Sequence, residues 1–173
     1  DFLIKKAFDT PVSEKIVLRN ANSDRGLFTL EPIAKNEVLV WHEQNFIDAP
    51  TRTSIQVNKN KHQEATDKDA MENYLNHACN PNGYIDFSTL TLRARRIIEP
   101  GEELTFNYNT TEWNMTEGFQ CKCDHQDCYG LVLGFKTLTL KEQRKLIKWV
   151  SPFLLAKLNL SLQAEGAAKQ KTF

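Results

Sequence analysis

The four cysteines of the chain have a spacing that could hold a metal ion. Cys121, Cys123 and Cys128 form a C-x-C-x4-C cluster, and Cys79 lies far upstream. Four thiolates complete the tetrahedral shell of a structural zinc ion, and a ligand from a distant segment would tie two regions together. Two disulfides or four ordinary buried thiols are the alternatives, although adjacent C-x-C thiols rarely pair and nothing indicates secretion. The spacing favours zinc but is not unique to it.

Cys79 stands in an unusual polar stretch, N-Y-L-N-H-A-C-N-P-N at residues 73–82. The amide of Asn76 and the two ring nitrogens of His77 can each donate and accept hydrogen bonds, and Pro81 fixes the chain direction beside them. Such a stretch could hold a polar ligand. The alternative is a capped turn in which the histidine is satisfied internally.

The composition indicates a globular domain. The 173 residues include 22 basic and 22 acidic side chains, so the formal net charge is zero. This balance removes the bulk electrostatic argument for a nucleic-acid binder. No apolar run approaches the roughly 18 residues that a membrane helix needs. We therefore expect an intracellular protein, nuclear or cytoplasmic, with one domain and a short appendage and without membrane contact.

Short apolar runs separated by turn signals predict a mainly β fold. We expect strands at residues 16–18, 27–30, 38–41, 51–57, 84–87, 89–94 and 104–108. Residues 58–69 are polar without an apolar period and are expected to form a loop, whereas residues 70–75 could form one helical turn.

The C-terminal part has helical signals instead. Thr139 and Glu142 have the spacing of a capping box, which marks a helix start. Leu140, Ile147 and Val150 can share one face of the helix that follows, with Leu146 nearby.

The dipeptide Ser-Pro at residues 151–152 predicts the end of that helix and the start of a second helix through Leu160. Residues 163–173 are small, polar and basic and are expected to fray. Residues 136–173 carry eight basic and two acidic side chains, so this tail could touch nucleic acid or an acidic partner.

Four motifs together resemble one known family. N-H-A-C-N-P-N at residues 76–82 resembles the N-H-x-C-x-P-N signature of SET-domain protein-lysine methyltransferases. G-E-E-L-T-F-N-Y at residues 101–108 resembles the G-E-E-L-T-F-D-Y segment of that family, and residues 121–130 resemble its post-SET cysteine element. Residues 24–28 and 33–38 resemble the N-terminal G-x-G-L-F-A and I-x-x-G-E-x-I patterns.

The match has three departures. Asp24 replaces the first glycine of the G-x-G pair, so that only Gly26 remains. Asn36 replaces the glycine of the usual K-G-E turn, and asparagine also tolerates left-handed backbone geometry. Asn107 stands where aspartate is commoner. These departures bear more on substrate identity than on activity.

The resemblance implies a mainly β fold, the SET-domain β-clip of small sheets with a knot-like C-terminal segment. It implies a SET domain at residues 14–117 and a post-SET zinc segment at residues 118–134. Residues 135–173, which the resemblance does not cover, would then form a C-terminal helical extension with a frayed tail.

The resemblance also implies methyl transfer from S-adenosylmethionine to the ε-amine of a lysine. Tyr108 matches the catalytic tyrosine of the family motif, and Tyr74, Phe106 and Phe119 are candidates for the wall of an aromatic lysine channel. Phe106 occupies the position that tunes the number of methyl groups in this family, and a phenyl ring predicts capacity beyond monomethylation.

The same resemblance assigns the cofactor site. Residues 25–28 would present their backbone to S-adenosylmethionine, and Gly26 permits a close approach. Phe119 or Trp113 could stack on the adenine or close the lysine channel. The residues predicted to bind the cofactor are Arg25, Gly26, Leu27, Phe28, Asn76, His77, Tyr108 and Phe119, and the predicted zinc ligands are Cys79, Cys121, Cys123 and Cys128.

Charge points to the substrate class. Residues 97–121 contain five acids and neither Lys nor Arg, so this segment could attract a lysine-rich protein or peptide such as a histone tail, the usual substrate of the family. A solvated acidic face is the alternative. A small-molecule amine substrate and an inactive scaffold also remain open, although intact Asn76, His77 and Tyr108 argue against the scaffold.

Overall fold

The structure, a computed structural model, describes residues 14–21 and 24–170, and within these ranges it holds twelve short strands and two α-helices. The strands are β1 (Ile16–Ala21), β2 (Asp24–Thr29), β3 (Val38–Trp41), β4 (Phe46–Ile47), β5 (Ile55–Asn58), β6 (Lys61–Gln63), β7 (Asn76–His77), β8 (Gly83–Asp86), β9 (Thr91–Ala94), β10 (Thr105–Phe106), β11 (Phe119–Gln120) and β12 (Leu131–Val132). The helices are α1 (Leu140–Leu146) and α2 (Pro152–Gln170), and 3-10 turns occupy Met71–Tyr74, Tyr108–Thr110 and Phe135–Thr137. The predicted mainly β fold with a helical C-terminal part is confirmed.

The strands form small separate sheets. β1 and β2 make an antiparallel hairpin, β3, β9 and β8 make one three-stranded sheet, and β4, β6 and β5 make another. β11 pairs antiparallel with β12, whereas β7 pairs parallel with β10. The parallel pairing places Asn76 beside Thr105 and His77 beside Phe106. Two motifs that are distant in the sequence are therefore neighbours in the fold.

The main hydrophobic core anchors the loops that carry these motifs. Leu27, Leu92 and Leu104 are completely buried. The Leu104 N–H donates to the Leu27 carbonyl at 2.7 Å, and Phe28 forms an isolated antiparallel bridge with Glu103. Strand β2 is thus held by β1 on one side and by the segment before β10 on the other.

Three predicted elements differ from the structure. The predicted loop at residues 58–69 contains β6, and the predicted strand at residues 51–57 begins only at Ile55. The predicted strand at residues 104–108 is reduced to the two residues of β10. Asn107 ends it, because its side chain accepts a hydrogen bond from the Asn109 N–H and caps the following 3-10 turn.

The capping box is confirmed at the start of α1. The Thr139 hydroxyl accepts from the Glu142 N–H, and the Glu142 carboxylate accepts from the Thr139 N–H at 2.7 Å. The predicted apolar face was wrong, because α1 ends at Leu146 and its buried residues are Gln143 and Leu146. Ile147 lies beyond the helix and is exposed.

The second helix is longer than predicted. Ser151 caps α2, since its hydroxyl accepts from the Leu154 N–H at 3.2 Å. The helix continues past Leu160 to Gln170, so the predicted helix end was wrong. The fraying of residues 163–173 stays a prediction, and residues 171–173 lie outside the described range. Neither α1 nor α2 has the length and apolar content that a bilayer-spanning helix requires.

Candidate active site

Tyr108 begins the 3-10 turn that follows β10, and hydrogen bonds hold both its hydroxyl and its backbone N–H. Its hydroxyl donates to the Leu75 carbonyl at 2.7 Å. Its backbone N–H donates to Nδ1 of His77 at 3.1 Å. The two hydrogen bonds fix both the hydroxyl and the backbone of Tyr108.

Three further rings surround that of Tyr108. The ring centroids lie 4.8 Å away for Phe106, 5.3 Å for His77 and 5.8 Å for Phe119. Phe106 is only 5% exposed. The structure therefore brings together Tyr108, Phe106 and Phe119, three of the four aromatic residues predicted as the catalytic tyrosine or the wall of the lysine channel.

Tyr74, the fourth, is placed differently. The guanidinium of Arg25 stacks over its ring at 4.5 Å, and both residues line a cleft of about 480 Å³. That volume lies within the range of small-molecule sites. Asn73 also lines the cleft. The structure thus assigns Tyr74 to the cleft wall rather than to the rings around Tyr108.

The other lining residues of this cleft come from two segments that the sequence did not single out. These residues are Arg52, Thr53, Glu64, Ala65, Thr66, Lys68 and Asp69. They carry charges of both signs. The sequence offered no motif for them, because isolated charged residues in a polar stretch are typical of any solvated loop.

Gly26 is required by a tight polar contact. The Asn76 amide donates to the Arg25 carbonyl at 3.0 Å and to the Glu103 carboxylate at 2.7 Å. A Cβ on Gly26 would collide with that carboxylate and would lie 3.0 Å from the Asn76 amide nitrogen. Gly26 therefore allows a close approach of Glu103 and Asn76, while its approach to a cofactor stays a prediction. The side chain of Leu27 lies in the core, so only its main chain could face a cofactor.

His77 uses both ring nitrogens inside the protein. Nδ1 accepts from the Tyr108 N–H, so Nε2 carries the hydrogen and faces the Cys79 sulfur at 3.3 Å. Burial lowers the pKa of His77 to about 4, which keeps the ring neutral at physiological pH. Both ring nitrogens of His77 are thus satisfied within the protein, and binding of a polar ligand by residues 73–82 stays a prediction.

The four cysteines form one cluster with the dimensions of a zinc shell. Their sulfur atoms all lie within 4.8 Å of one another. The Cys79 sulfur is 3.6 Å from that of Cys121 and 3.8 Å from that of Cys128, which matches the edge of about 3.8 Å in a tetrahedron with Zn–S bonds of about 2.3 Å. All four are free thiols rather than disulfides. The cluster is compatible with zinc.

The thiols have divergent acidities. Burial raises the pKa of Cys79 and raises that of Cys121 to about 11. Burial also raises the pKa of Cys123, but hydrogen bonds involving the backbone of Cys79 and His125 outweigh it and lower this pKa to about 7. Four thiolates in so small a volume need a cation to neutralise them, which a zinc ion would supply.

Two asparagines that received no site role hold these motifs in place. The buried Asn107 amide donates to the Cys79 carbonyl at 3.3 Å, which an aspartate carboxylate could not do. Asn82 donates to the Glu103 carbonyl at 2.8 Å and accepts from the Thr105 N–H at 3.0 Å. The departure at Asn107 thus has a local reason.

The acidic segment 97–121 is less open than its sequence indicates. Glu102 is bound by Arg96 at 2.6 Å. Glu103 and Glu112 accept hydrogen bonds within the protein. Three of the five acids are therefore engaged internally.

Comparison with known proteins agrees with this geometry. The family model described as SET domain matches residues 24–109. Methyltransferase flvH of Aspergillus flavus is 44% identical over 63 residues, which are 35% of this chain and 35% of flvH. The H3 lysine-36 specific histone-lysine N-methyltransferase of Yarrowia lipolytica is 32% identical over 135 residues, which are 66% of this chain and 17% of that protein.

The fold has solved counterparts. The crystal structure of KRYPTONITE in complex with mCHH DNA, an H3(1-15) peptide and SAH superposes with a TM-score of 0.56 at 15% identity. The match covers 74% of this chain and 31% of that chain. The chain spans about a third or less of each of these three proteins. Motifs, sheet arrangement and family model agree, and the chain therefore belongs to the SET-domain family of methyltransferases.

Proposed function

We propose that the protein transfers a methyl group from S-adenosylmethionine to the ε-amine of a lysine in a protein substrate. The observation that carries the proposal is the Tyr108 hydroxyl, fixed by its donation to Leu75 at 2.7 Å and enclosed by the rings of Phe106 and Phe119. Relatives named histone-lysine N-methyltransferases make a histone the first substrate to test. A histone substrate would place the protein in the nucleus.

The cleft beside Arg25 is the proposed cofactor site. The methionine end of S-adenosylmethionine carries one ammonium and one carboxylate group, and the cleft offers Arg52 and Lys68 together with Glu64 and Asp69. The backbone of residues 25–28 and Asn76 would complete the site, with Phe119 stacking on the adenine. Since both ring nitrogens of His77 are engaged, His77 would take part through its main chain.

The aromatic rings around Tyr108 would favour the neutral form of the substrate lysine. A free lysine with a pKa of about 10.4 is neutral in about one molecule in 2,500 at pH 7, a cost of about 4.6 kcal/mol. An apolar channel disfavours the ammonium form and lowers this pKa. Water can take the proton before the channel closes, so no carboxylate base is needed.

The transfer itself requires alignment. The amine nitrogen forms a bond to the methyl carbon as the carbon–sulfur bond breaks, and S-adenosylhomocysteine leaves with the electron pair. Holding amine, methyl and sulfur in line supplies several kcal/mol. The Tyr108 oxygen, whose hydrogen is used on Leu75, would present lone pairs to the polarised methyl hydrogens.

Phe106 is the proposed determinant of methyl count. Its phenyl ring lies 4.8 Å from that of Tyr108 and has no hydroxyl to hold water or the methylated amine. We therefore propose di- and trimethylation. Mass spectrometry of the product at long times should show more than one methyl group for the wild type, and Phe106→Tyr should shift the product towards monomethylation. A single methyl group from the wild type would contradict this.

The proposed role of zinc is structural. All four sulfurs would coordinate the ion, which leaves no open position for a substrate. The site would fix the post-SET segment, including Phe119, against Tyr108 and β7.

A small-molecule amine as acceptor is the second candidate. The name of Methyltransferase flvH specifies no acceptor. The same Tyr108 site would serve either acceptor. Binding of nucleic acid by the basic tail stays a prediction, and Lys145, Lys148 and Lys157 of that tail already contact Asp127, Trp149 and Trp113.

One experiment separates these functions. The protein is incubated with labelled S-adenosylmethionine and, separately, with core histones, total cell protein and a panel of small amines. Tyr108→Phe should lower the rate by about 10²-fold, the usual cost of one oriented polar group, while the affinity for S-adenosylhomocysteine changes little. The matched control Tyr84→Phe should keep its activity, because Tyr84 packs against Trp149 instead.

The outcomes are distinct. Label on protein supports the first candidate, and label only on small amines supports the second. Cofactor binding without transfer to any acceptor would overturn both.

A further inference from the structure

The His77 ring bridges the cysteine cluster and the predicted catalytic tyrosine. Nε2 lies 3.3 Å from the Cys79 sulfur, and Nδ1 accepts from the Tyr108 N–H at 3.1 Å. The ring also makes edge contacts with Tyr108 and Phe119, at centroid distances of 5.3 Å and 5.5 Å.

The chemistry of the imidazole fixes the direction of this bridge. A backbone N–H can only donate, so Nδ1 must be the acceptor and Nε2 must carry the hydrogen. The Nε2–H then points at sulfur. A metal-bound thiolate accepts such a bond well, and outer-shell hydrogen bonds of this kind orient metal ligands.

The backbone around the ring reinforces the connection. β7, which ends at His77, pairs parallel with β10, and the chain enters the Tyr108 turn directly after it. The Asn107 amide donates to the Cys79 carbonyl at 3.3 Å. Cys79 is therefore linked to the Tyr108 turn by the Asn107 side-chain amide and by the His77 ring.

We propose that His77 is a positioning residue that couples metal occupancy of the four-cysteine cluster to the placement of Tyr108. Metal-bound Cys79 holds Nε2, the ring is thereby fixed, and Nδ1 fixes the Tyr108 backbone from which the hydroxyl reaches Leu75. Loss of the metal removes the thiolate acceptor and loosens the Tyr108 turn. The catalytic consequence rests on the proposed function, whereas the structural coupling does not.

Two substitutions at His77 each remove one of the two hydrogen bonds of its ring and keep the other. His77→Asn places an amide oxygen near the position of Nδ1 and keeps the acceptor for Tyr108, but it removes the donor to sulfur. His77→Gln places an amide nitrogen near the position of Nε2 and keeps that donor, but it removes the acceptor. Circular dichroism checks that both variants are folded.

Three readouts are measured on the full chain. Zinc retention is followed by competition with a chromogenic chelator, and the metal site by the thiolate-to-metal absorption of the cobalt(II) form. Placement of Tyr108 is followed by hydrogen exchange of its backbone amide with and without zinc. Methyl transfer is measured at saturating zinc with the acceptor found above.

We expect a crossed pattern. His77→Asn should lose zinc affinity by about 10-fold or more and shift the cobalt spectrum, while the exchange of the Tyr108 amide stays slow. His77→Gln should keep its zinc affinity but show faster Tyr108 exchange and slower transfer. In the wild type, zinc removal should speed up Tyr108 exchange.

Equal losses in both variants on every readout would reduce His77 to a structural residue and overturn the proposal. Unchanged Tyr108 exchange in zinc-free wild type would overturn it as well. If the wild type transfers no methyl group but zinc retention and amide exchange follow the crossed pattern, the proposed function fails and the coupling stands.

Discussion

The Glu112 carboxylate accepts a hydrogen bond from the Gln56 backbone N–H at 2.8 Å, and the Gln56 side chain in turn accepts from the Trp113 N–H at 3.0 Å. This reciprocal pair joins β5 to the segment after Tyr108. The Glu112 N–H also donates to the Tyr108 carbonyl at 3.0 Å. Burial raises the pKa of Glu112 to about 7, although hydrogen bonds from Gln56 and Thr111 lower it in part.

This pKa predicts a pH-dependent stability. The Glu112 pKa rises from about 4.5 in the unfolded chain to about 7 in the folded one, so the folded state binds the proton more tightly. Its contribution is fully present below about pH 4.5 and is lost as the pH rises to about 7, a total of about 3 kcal/mol. We expect Glu112→Gln to gain stability relative to the wild type between pH 5 and pH 8, measured by urea unfolding.

Glu117→Gln is the matched control for that prediction, since Glu117 is exposed. It should show no such pH-dependent difference. An equal pH dependence in the wild type and in Glu112→Gln would show that Glu112 does not titrate with the raised pKa.

Gly26→Ala should disturb the polar contact beside the proposed cofactor site. The added methyl group would displace the Glu103 carboxylate and crowd the Asn76 amide. Overpacking of this kind costs about 1–3 kcal/mol. We expect a lower melting temperature and weaker binding of S-adenosylhomocysteine, measured by calorimetry.

The cause of the stability loss in Gly26→Ala can be tested in a protein that lacks the Glu103 carboxylate. Glu103→Ala removes the carboxylate that the new methyl group would meet. Gly26→Ala should therefore cost less stability in the Glu103→Ala protein than in the wild type. Equal costs in both backgrounds would place the strain elsewhere.

The sequence predictions were correct where a feature depends mainly on residues close together in the sequence. The Thr139–Glu142 box and the left-handed Asn36, with φ of 69°, were predictable because each depends on a few neighbouring residues. The cysteine spacing and the N-H-A-C-N-P-N motif likewise identified the two halves of the site. These features carry their geometry in their own residue types.

The missed features depend on distant partners. Strand β6 has no apolar pattern, yet His62 and Gln63 are buried, and the Gln63 amide donates to Glu72 at 2.8 Å. Such polar burial is invisible to hydrophobic periodicity. Trp113 was predicted at the site but packs against Phe135 at 6.3 Å in the C-terminal cluster, because the helices that cover it lie outside the family motifs.

Metal removal should expose the cysteine cluster. If the cluster binds one zinc ion, a strong chelator should release it, lower the melting temperature and make all four thiols reactive. The metal content is measured by atomic emission and the thiols by a chromogenic disulfide reagent. Zinc, but not magnesium, should restore the original melting temperature, since thiolates select zinc. Four reactive thiols before chelation, with less than about half an equivalent of zinc, would contradict the zinc assignment.

The link between the helices and the Tyr108 turn gives the last prediction. Ser151 is completely buried, its N–H donates to the Thr110 carbonyl at 2.9 Å, and its hydroxyl caps α2. Ser151→Ala should cost about 1 kcal/mol in the free energy of unfolding, the usual loss of a helix cap.

Ser161→Ala on the same helix is the control. Its hydroxyl is exposed and donates to the Lys157 carbonyl, so alanine should be neutral or slightly stabilising there. Equal effects of the two substitutions in urea unfolding would mean that Ser151 does not anchor the helix. A larger loss for Ser151→Ala, with faster hydrogen exchange at Leu154, would show that the start of α2 is held by this cap.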